Sequence, residues 1–417
     1  MLVSKAFKSK RLAATAMRSA SNWGDVPSVP PDPILGVLEA FNRDTHPNKV
    51  MLGVGAYRDD DGKPWVLPCV REAEKRVISA NMGNEYAGIV GIDSFVKHAT
   101  KLAYQDSCDH SRVAAMQSLS GTGSLRVGME WLKQYTKEGT KLYLPDPTWA
   151  NHRQMAPRCG LELATYRYFD NKTLGIDING MLEDLEKAPK EQIIMLHACA
   201  HNPTGADPTT EEWKKILEVS KRRDHIIFFD MAYQGFASGD PTADAYALQS
   251  FVPEGLRIVL AQSFAKSFGL YGQRVGNVSV LCENEDEAKR AIGQLKIIAR
   301  TMYSNPPIHG GRIVDTVLGD EQLLKQWHAD IKTMSTRIKD MRQAIRDGLV
   351  KNGSTHNWDH IVKQIGMFAF TGLKSDAVNK LINDYHIYLT QDGRISLAGL
   401  NTKNVDYVAN AFHEVTK

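Results

Sequence analysis

Residues 112–145 read RVAAMQSLSGTGSLRVGMEWLKQYTKEGTKLYLP, and this stretch decides the fold of the chain. The apolar run RVAAMQSL predicts a strand, GTGSLRVGMEWLKQY predicts an amphipathic helix, and KLYLP predicts a second strand. Strands that alternate with helices in this way are typical of a mainly parallel sheet that is covered by helices on both faces. We therefore predict an α/β fold around this unit.

The same alternation continues on the carboxyl side of that unit. Further strands are predicted by the runs ELATYRY, QIIMLHA, HIIFFD, RIVLAQS and NVSVL, which begin at residues 162, 192, 225, 257 and 277. The helical segment TTEEWKKILEVSKRR lies between two of them, and Thr210 is its predicted N-cap. Ligands bind outside the carboxyl ends of the strands in an open parallel sheet, so functional residues are expected there.

The last part of the chain has a different pattern. A long charged helical stretch covers residues 320–350 and leads into two short apolar runs, IGMFAF and IYLT. We interpret this part as a second, smaller domain.

The composition excludes several classes of protein. Hydrophobic residues make up 42% and charged residues 24% of the 417 positions, which is the balance of a globular protein rather than of a disordered or collagen-like one. No apolar run reaches the length of about 18 residues that a membrane-spanning helix needs. The five cysteines form no CxxC pair and the thirteen histidines form no HExxH motif. We therefore predict free thiols and no metal site.

The positive charge is concentrated at the amino terminus. Residues 1–21 contain five basic residues and no acidic one, and the remaining 46 basic residues face 48 acidic ones. A body so close to neutral lacks the basic surface that nucleic-acid binding requires. The basic segment is also rich in Ser and Ala and has no long apolar run, which is typical of a mitochondrial transit peptide. A basic tail on a cytosolic protein is the alternative.

A lysine that follows a predicted buried strand is the clearest chemical signal. Lys266 lies in SFAKSFGLYGQRVG, residues 263–276, among aromatic and apolar neighbours. Most lysines are solvated surface residues, but apolar neighbours desolvate the amine, lower its pKa and make it a nucleophile for Schiff-base chemistry. Ser263 and Arg274 flank it with groups that suit a phosphate. On these grounds alone, both interpretations of the lysine stay open.

A second signal joins a predicted strand to a predicted helix. In LSGTGSLRVG, Ser120, Gly121 and Thr122 bring backbone N–H groups and two hydroxyls to a helix N-terminus, which is a ready anion site. A glycine-rich turn with a threonine cap is an equally good interpretation. No Gly-Lys-Ser/Thr sequence follows, so the motif is not a Walker loop.

Polar residues also follow two further strands. Asp230 ends HIIFFD, and Tyr233 lies three positions beyond it. A carboxylate in this apolar setting is costly unless it meets a cation, and a pyridinium nitrogen would serve; a helix cap is the alternative. Asn202 lies in HNPTG, which is either a plain turn or a rigid polar contact, and its bond to Pro203 is a candidate for the cis form.

Together these motifs resemble the aspartate aminotransferase family, whose members are pyridoxal-phosphate enzymes of fold type I. The resemblance covers essentially everything after residue 21. Long stretches carry it as well: PPDPILGVLEAFNRDT, LGVGAYRDDDGKPWVLPCVREAE, LPDPTWANH, LHACAHNPTG, YSNPPIHGGRIV and DGRISLAGL. The stretch SNWGDVPSVPPDPILGV, residues 21–37, is more similar to the mitochondrial members than to the cytosolic ones.

The resemblance implies a cofactor, pyridoxal 5'-phosphate, and a role for each of these residues. Lys266 would bind the cofactor covalently and would later carry the proton from the substrate's Cα, and Asp230 would keep the pyridine nitrogen protonated. Asn202 and Tyr233 would hydrogen-bond the phenolic oxygen, and Trp149 would stack on the ring. The phosphate would be bound by Ser120, Gly121, Thr122, Ser263 and Arg274, joined by Tyr86 from the other subunit of a homodimer.

The resemblance also implies how a dicarboxylic substrate is held. Arg394 would clasp the α-carboxylate as a bidentate fork, and Arg300 would bind the distal carboxylate across the dimer interface. Gly55 would close over the substrate from the small domain. The chain departs from the family pattern at NEYAGIV, residues 84–90, and at Tyr303, where the family commonly has tryptophan. Both departures lie near the site that the two subunits would share, and they bear on loop packing or secondary substrate range rather than on the chemistry.

The implied activity is a ping-pong exchange of the amino group between L-aspartate and 2-oxoglutarate in the mitochondrial matrix, which gives oxaloacetate and L-glutamate. The implied organisation is a transit peptide at 1–21, an arm at 22–30, a small domain of 31–64 and 335–417, and a large cofactor-binding domain of 65–334. An aromatic or broad-specificity aminotransferase is the nearest alternative, and Arg300 disfavours it because an unpaired arginine in a dry pocket is costly. An additional, non-catalytic lipid-binding role is the alternative of another class.

Overall fold

The computed structural model of the chain describes residues 23–29 and 35–417, so the predicted transit peptide lies outside the described residues. Residues 23–29 contain a turn at Gly24 and Asp25. No helix in the described part of the chain is both long and apolar enough to span a membrane. The helices of residues 35–417 are α1 (Leu35–Arg43), α2 (Pro68–Ser79), α3 (Asp93–Tyr104), α4 (Ser120–Tyr135), α5 (Ala150–Arg158), α6 (Ile178–Lys187), α7 (Thr210–Arg222), α8 (Tyr246–Phe251), α9 (Glu285–Met302), α10 (His309–Gly319), α11 (Glu321–Lys351), α12 (Asp359–Lys363), α13 (Ser375–Tyr385) and α14 (Val405–Thr416).

The strands alternate with these helices through the middle of the chain, as the sequence predicts. They are β1 (Val50–Met51), β2 (Val113–Leu119), β3 (Lys141–Asp146), β4 (Glu162–Arg167), β5 (Phe169–Asp170), β6 (Gly175–Ile176), β7 (Ile193–His197), β8 (Ile226–Met231), β9 (Ile258–Ser263), β10 (Val275–Leu281), β11 (Phe368–Phe370), β12 (Ile387–Tyr388) and β13 (Arg394–Ser396).

Seven of these strands form the central sheet in the order β2–β10–β9–β8–β7–β3–β4. Strand β10 runs antiparallel to both of its neighbours, and every other adjacent pair in this sheet is parallel. The prediction of a mainly parallel sheet is therefore confirmed. The register places His197 of β7 opposite Asp230 of β8, so the carboxyl ends of the two strands lie level with each other.

The two faces of the sheet belong to different apolar cores. On β8, Ile226 and Phe228 pack on the side of α4, α5 and α9, whereas Ile227 and Phe229 pack on the side of α6, α7 and α8. This alternation follows from the strand itself, because successive side chains point to opposite faces. Helices therefore cover both faces of the sheet.

The third core is built around the long helix α11. Its buried Trp327 and Ile331 pack in one cluster with residues of α2, α10 and α14 and of the short strands. Strand β1 pairs in parallel with β12, and β11 pairs in antiparallel fashion with β13. The amino-terminal part of residues 35–417 is thus joined to the carboxyl-terminal part by backbone hydrogen bonds.

One local prediction is wrong by a single residue. Thr209, not Thr210, caps helix α7: its Oγ1 accepts a hydrogen bond from the Glu212 N–H at 3.3 Å, and its own N–H donates to the Glu212 carboxylate at 2.8 Å. Two adjacent threonines both have the chemistry of an N-cap. Only Thr209 has a glutamate three residues later to complete the reciprocal capping box, so the helix begins after it.

Candidate active site

A cavity of about 260 Å³ lies at the carboxyl ends of the parallel strands. The sequence-predicted residues that line it are Gly55, Ser120, Gly121, Thr122, Trp149, Asn202, Asp230, Tyr233, Ser263, Lys266, Arg274 and Arg394. Most of them follow strands of the central sheet, because the carboxyl ends of parallel strands meet at one edge of a sheet, whereas Gly55 and Arg394 come from the segments around β1 and β13. The structure therefore brings together twelve of the fourteen predicted site residues.

Lys266 reaches the cavity from the loop after β9. Its Nζ lies 5.2 Å from the centroid of the Tyr233 ring and has no hydrogen-bond partner among the residues that the structure describes. Burial lowers the pKa of this amine and the charge of Arg274 lowers it further, while the charge of Asp230 opposes the shift. A larger share of the amine is therefore unprotonated, the form that attacks a carbonyl carbon.

Asp230 lies near the end of β8 and is 9% exposed. Its Oδ2 accepts a hydrogen bond from His152 Nε2 at 3.1 Å. Burial raises the pKa of this carboxyl, but the His152 hydrogen bond and the positive field of the site outweigh burial, so the net shift is downward. The site therefore holds a carboxylate that stays ionised at neutral pH.

A directed chain of hydrogen bonds stands behind this carboxylate. The backbone N–H of Asn202 donates to His197 Nδ1 at 3.1 Å, so the proton of His197 must be on Nε2, which lies 3.3 Å from Thr148 Oγ1. The Thr148 hydroxyl then donates to His152 Nδ1 at 2.9 Å, which leaves His152 Nε2 as the donor to Asp230. Burial lowers the pKa of His197 to about 3 and keeps its ring neutral. Each tautomer is thereby fixed by the one before it.

The same chain bears on the prediction that the protein has no metal site. Ligand atoms of His152, His197 and Asp230 all lie within 4.8 Å of one another. However, both nitrogens of each imidazole already take part in hydrogen bonds, and a metal ion would have to break them. We therefore assign this cluster to the orientation of Asp230 rather than to metal binding.

Groups that suit an anion lie together at the start of α4, and we refer to them as the anion site. Ser120 begins this helix with φ at +60°, and its Oγ lies 3.2 Å from the Oγ of Ser263. A Cβ atom on Gly121 would lie 3.0 Å from the Ser263 Cβ, so glycine favours the close approach of the two segments. Arg274 adds a guanidinium beside these hydroxyls, and Thr122 adds a third. Free N–H groups, hydroxyls and a cation form a phosphate site.

These groups fit the cofactor that the resemblance implies. Pyridoxal phosphate offers a phosphate, a carbonyl carbon and a basic ring nitrogen, and the cavity offers the anion site at α4, the free amine of Lys266 and the carboxylate of Asp230. Trp149 also lines the cavity and is only partly buried, so an aromatic face is available.

Arg394 faces the cavity from strand β13 and is 4% exposed. Its Nη2 donates to the Gly53 carbonyl at 2.8 Å, its Nη1 lies 3.3 Å from Asn202 Oδ1, and its Nε is buried without a hydrogen-bond partner. The Phe368 ring lies beneath the guanidinium, with its centroid 4.2 Å from Cζ. In the described part of the chain, no carboxylate pairs with this cation. A buried and unpaired guanidinium is a binding site for a carboxylate.

Gly55 lies where the chain passes close to the Phe368 ring. A Cβ atom at this position would be 2.7 Å from the Phe368 Cζ. A larger residue would therefore displace the ring that supports Arg394.

Tyr86 and Arg300 do not reach the cavity of their own chain. Tyr86 is 83% exposed, and the exposed Arg300 on α9 donates a hydrogen bond to the Ser304 hydroxyl. The two residues lie on segments that touch, because the Asn305 side chain donates to the Ala87 carbonyl at 3.0 Å. Both residues are therefore exposed on neighbouring segments, close to Tyr303, the position at which the family commonly has tryptophan.

The structure also contains functional residues that the sequence does not reveal. His152 and Thr148 orient Asp230, Phe368 supports Arg394, and the Tyr271 hydroxyl accepts a hydrogen bond from the Tyr57 N–H at 2.9 Å beside the anion site. The sequence offers one indication of such residues: a buried aspartate needs a hydrogen-bond donor. It does not indicate which residue is that donor.

Comparisons with known proteins agree with this geometry. The profile of the family "Aminotransferase class I and II" matches residues 47–412. The chain is 50% identical over 411 residues to the mitochondrial aspartate aminotransferase of Gallus gallus, and the match covers 98% of this chain and 97% of the relative. It is similar to the structure of a mitochondrial aspartate aminotransferase from Trypanosoma brucei, with a TM-score of 0.89 and 43% identity over 92% of this chain and 100% of that one. It is also similar to an aromatic-amino-acid aminotransferase from Burkholderia pseudomallei that is covalently bound to pyridoxal phosphate, with a TM-score of 0.92 and 42% identity over 95% and 100% of the two chains.

Proposed function

The chain belongs to the class I and II aminotransferases, and from this we propose that it transfers the amino group between L-aspartate and 2-oxoglutarate. It is a pyridoxal-phosphate-dependent transaminase, and oxaloacetate and L-glutamate are its products. The observation that carries this proposal is the convergence of a free amine, an ionised carboxylate and an unpaired guanidinium on one cavity. Lys266, Asp230 and Arg394 provide these three groups.

Each of the three has a distinct task. When bound, pyridoxal phosphate supplies an electron sink for negative charge at the substrate's Cα. Asp230 holds the positive charge of the ring nitrogen, and the hydrogen-bond chain through His152 keeps its carboxylate oriented. Lys266 Nζ takes the proton from the substrate's Cα, since its lowered pKa leaves part of the amine free to act as a base. Arg394 holds the α-carboxylate and so sets which substrate atom meets the amine.

The remaining contacts of the proposed site follow from the cavity walls. Ser120, Gly121, Thr122, Ser263 and Arg274 would hold the phosphate. Asn202 and Tyr233 would meet the phenolic oxygen, and burial raises the pKa of Tyr233, so that its hydroxyl stays a donor.

We infer that the active enzyme is a homodimer with shared sites, in which Tyr86 and Arg300 of the partner subunit complete the cavity. Three facts support this: both side chains are exposed on their own chain, they lie on touching segments, and the nearby Ile297 is also exposed, at 57%. An arginine from the partner subunit would give each site the second guanidinium that a dicarboxylate needs.

Subunit mixing tests the shared site. Lys266→Ala and Arg300→Ala homodimers are each nearly inactive on aspartate. Refolding an equal mixture makes about half of the dimers mixed, and each mixed dimer has one intact site, so about a quarter of the wild-type activity returns. If Arg300 served its own subunit, every site of a mixed dimer would carry one lesion and no activity would return.

We also propose the two-domain division, with a small domain of residues 31–64 and 335–417 and a large domain of residues 65–334. The pairing of β1 with β12 and the Ser396 N–H to Leu52 carbonyl hydrogen bond, at 2.7 Å, favour it because they join the two pieces of the small domain. Gly55 lies on this unit and would approach the substrate from it.

The location of the enzyme is proposed from its relatives and its basic amino terminus. The relative from Gallus gallus is named a mitochondrial enzyme, and residues 1–21 have the composition of a transit peptide. We propose the mitochondrion as the compartment and the matrix as the place within it. Import of the full chain, but not of a chain that begins at residue 22, into isolated mitochondria tests this.

The absorption spectrum of the purified holoenzyme tests the main proposal. The band of the bound cofactor shifts when L-aspartate is added and returns when 2-oxoglutarate is added. A band that responds to phenylalanine but not to aspartate would instead favour an aromatic or broad-specificity enzyme, which the similarity to the Burkholderia protein makes the second candidate. A spectrum without a cofactor band would contradict both.

A further inference from the structure

A buried arginine on helix α11 holds the segment that carries Phe368. Arg342 is 2% exposed. Its Nη1 donates to the Ile361 carbonyl at 2.6 Å, and its Nη2 donates to the Gly366 carbonyl at 2.8 Å and to the Phe368 carbonyl at 2.6 Å. One side chain therefore fixes three carbonyl oxygens of residues 361–368.

The surroundings of Arg342 differ from those of a stabilising ion pair. Its hydrogen bonds go to backbone carbonyls, and burial lowers the pKa of the guanidinium, while the charge of Asp207 opposes this shift. A buried charge of this kind adds little net stability. Its planar set of donors does, however, determine where the acceptor backbone must lie.

Asp207, the charge that opposes the shift, orders the neighbouring loop. Its Oδ2 accepts a hydrogen bond from the Ala200 N–H at 2.6 Å, and its Oδ1 accepts one from the His201 N–H at 2.8 Å. The Ile365 N–H donates to the Gly205 carbonyl at 2.7 Å, which joins this loop to the segment that Arg342 holds.

The contact between the loop and the segment has no spare room. A Cβ atom on Gly205 would lie 2.7 Å from the Phe368 carbonyl oxygen, and one on Gly366 would lie 2.4 Å from the Ala200 Cβ. The two pieces of chain therefore hold a single relative position.

Both pieces lead to Arg394. The loop supplies Asn202, whose Oδ1 lies 3.3 Å from Arg394 Nη1, and the segment supplies the Phe368 ring beneath the guanidinium. We propose that Arg342 is a positioning residue for the α-carboxylate clamp: it fixes the Phe368 backbone, and the Phe368 ring in turn orients the Arg394 fork. This rests on the proposed function, in which Arg394 binds the α-carboxylate.

Two substitutions at this position separate its charge from its geometry. Arg342→Met removes the charge and all three hydrogen bonds. Arg342→Lys keeps the charge, but a single ammonium cannot reach three carbonyls as the two Nη atoms do. The probe is succinate, a dicarboxylate without an amino group, and its Kd for the holoenzyme is measured by calorimetry, so that turnover is not needed.

We expect Arg342→Met to raise the succinate Kd by about tenfold, since small displacements of a binding group have effects of this size or larger. The KM for aspartate and for 2-oxoglutarate rises by the same factor, and kcat changes little. Arg342→Lys lies between the wild type and Arg342→Met. The position of the cofactor's absorption band stays unchanged, because Asp230 and Lys266 are untouched.

Ile345→Ala is the matched control, because it truncates a fully buried side chain of the same helix and removes none of the three hydrogen bonds. It lowers the melting temperature and leaves the succinate Kd at the wild-type value. The role of Arg342 is contradicted if both Arg342 variants bind succinate as tightly as the wild type, or if Ile345→Ala weakens binding as much as Arg342→Met. Arg342→Lys decides the question if Arg342→Met does not fold. A wild-type holoenzyme that binds no succinate would contradict the proposed function itself.

Discussion

The two ends of the active-site cavity compensate their charges in different ways. At the sheet edge, the Asp230 carboxylate receives a hydrogen bond from His152, which is itself oriented through Thr148 and His197. At the end that β13 contributes, the Arg394 guanidinium donates only to neutral oxygens and leaves its Nε without a partner. The first charge is set by the chain before any ligand arrives, and the second is compensated only when a carboxylate binds.

In the proposed function, Asp230 tunes the cofactor and Arg394 binds the substrate, and this difference in charge compensation suits the two tasks. A carboxylate that must act on a bound ring has to stay ionised and fixed throughout the reaction. A guanidinium that must accept and release a substrate on every turnover works better without a permanent partner.

Replacing Lys266 has the largest expected effect. Lys266→Ala removes the base and the covalent anchor, and we expect kcat to fall by at least about 10⁴-fold. Pyridoxal phosphate still binds through the anion site at α4, and succinate still binds at Arg394, because the substitution changes neither of these groups. Steady-state kinetics and cofactor occupancy measure the two effects. The exposed Lys325 gives the control, since Lys325→Ala should behave as the wild type.

Substantial turnover of Lys266→Ala in a preparation with full cofactor occupancy would contradict the assignment. So would loss of succinate binding, because it would mean that the two ends are not separable.

Replacing Asp230 has the next largest effect and breaks the end that the chain compensates. Asp230→Ala lowers kcat by about 10³-fold, the upper range for the loss of one electrostatic contact to a transition state. It also lowers stability by about 1–3 kcal/mol, because His152 Nε2 loses its acceptor in a buried place. Kinetics and thermal unfolding of the ligand-free protein measure both. Unchanged stability would mean that the hydrogen-bond chain does not hold the carboxylate in the way described.

Replacing Arg394 breaks the other end, with the opposite balance of effects. Arg394→Gln raises the KM for aspartate by about 100-fold, since a charge-assisted bidentate pair is lost. The melting temperature of the ligand-free protein stays the same or rises, because the substitution removes a buried charge without an ionic partner. A fall in melting temperature as large as that of Asp230→Ala would contradict the claim that the charges of Asp230 and Arg394 are compensated in different ways.

Removing the donor to Asp230 gives a smaller, pH-dependent effect. The folded-state pKa of Asp230 lies below its usual value, so its contribution to stability is present above the unfolded carboxyl pKa and is lost as the pH falls through the folded one. His152→Leu removes the hydrogen bond that lowers this pKa, and burial then raises it. We expect the acidic limb of kcat/KM to move upward by about 1–2 pH units.

The pH profile of His152→Leu, compared with that of the wild type, measures this shift. An unmoved acidic limb in a folded, cofactor-loaded variant would show that His152 does not control the ionisation of Asp230.

The central sheet and part of the site can be predicted from the sequence for one physical reason. Apolar runs that end at a polar residue mark buried strands and their carboxyl ends, so Lys266, Asp230 and the Ser120 turn could be singled out from local pattern alone. The cap of α7 was wrong by one residue because two adjacent threonines share the same chemistry. Arg394 and Trp149 have no local pattern of this kind and came from the family resemblance.

The supporting residues were missed because their contacts cross long stretches of chain. His152 meets Asp230 over a separation of 78 residues, and Arg394 meets Asn202 over 192. No periodicity or spacing encodes such pairs, because they are fixed only when the strands take their order in the sheet. Tyr86 and Arg300 are a different case: their proposed roles need a second copy of the chain, so a single chain leaves those roles as predictions.

The most direct test of the central claim follows the amino group itself. Wild-type holoenzyme is incubated with ¹⁵N-labelled L-aspartate and unlabelled 2-oxoglutarate, and the products are identified by NMR. We expect the label to appear in L-glutamate as oxaloacetate forms, and Arg394→Gln to transfer it far more slowly at the same substrate concentrations. Label that stays in aspartate, or is released as ammonia, would contradict the conclusion that this site transfers an amino group between dicarboxylic acids.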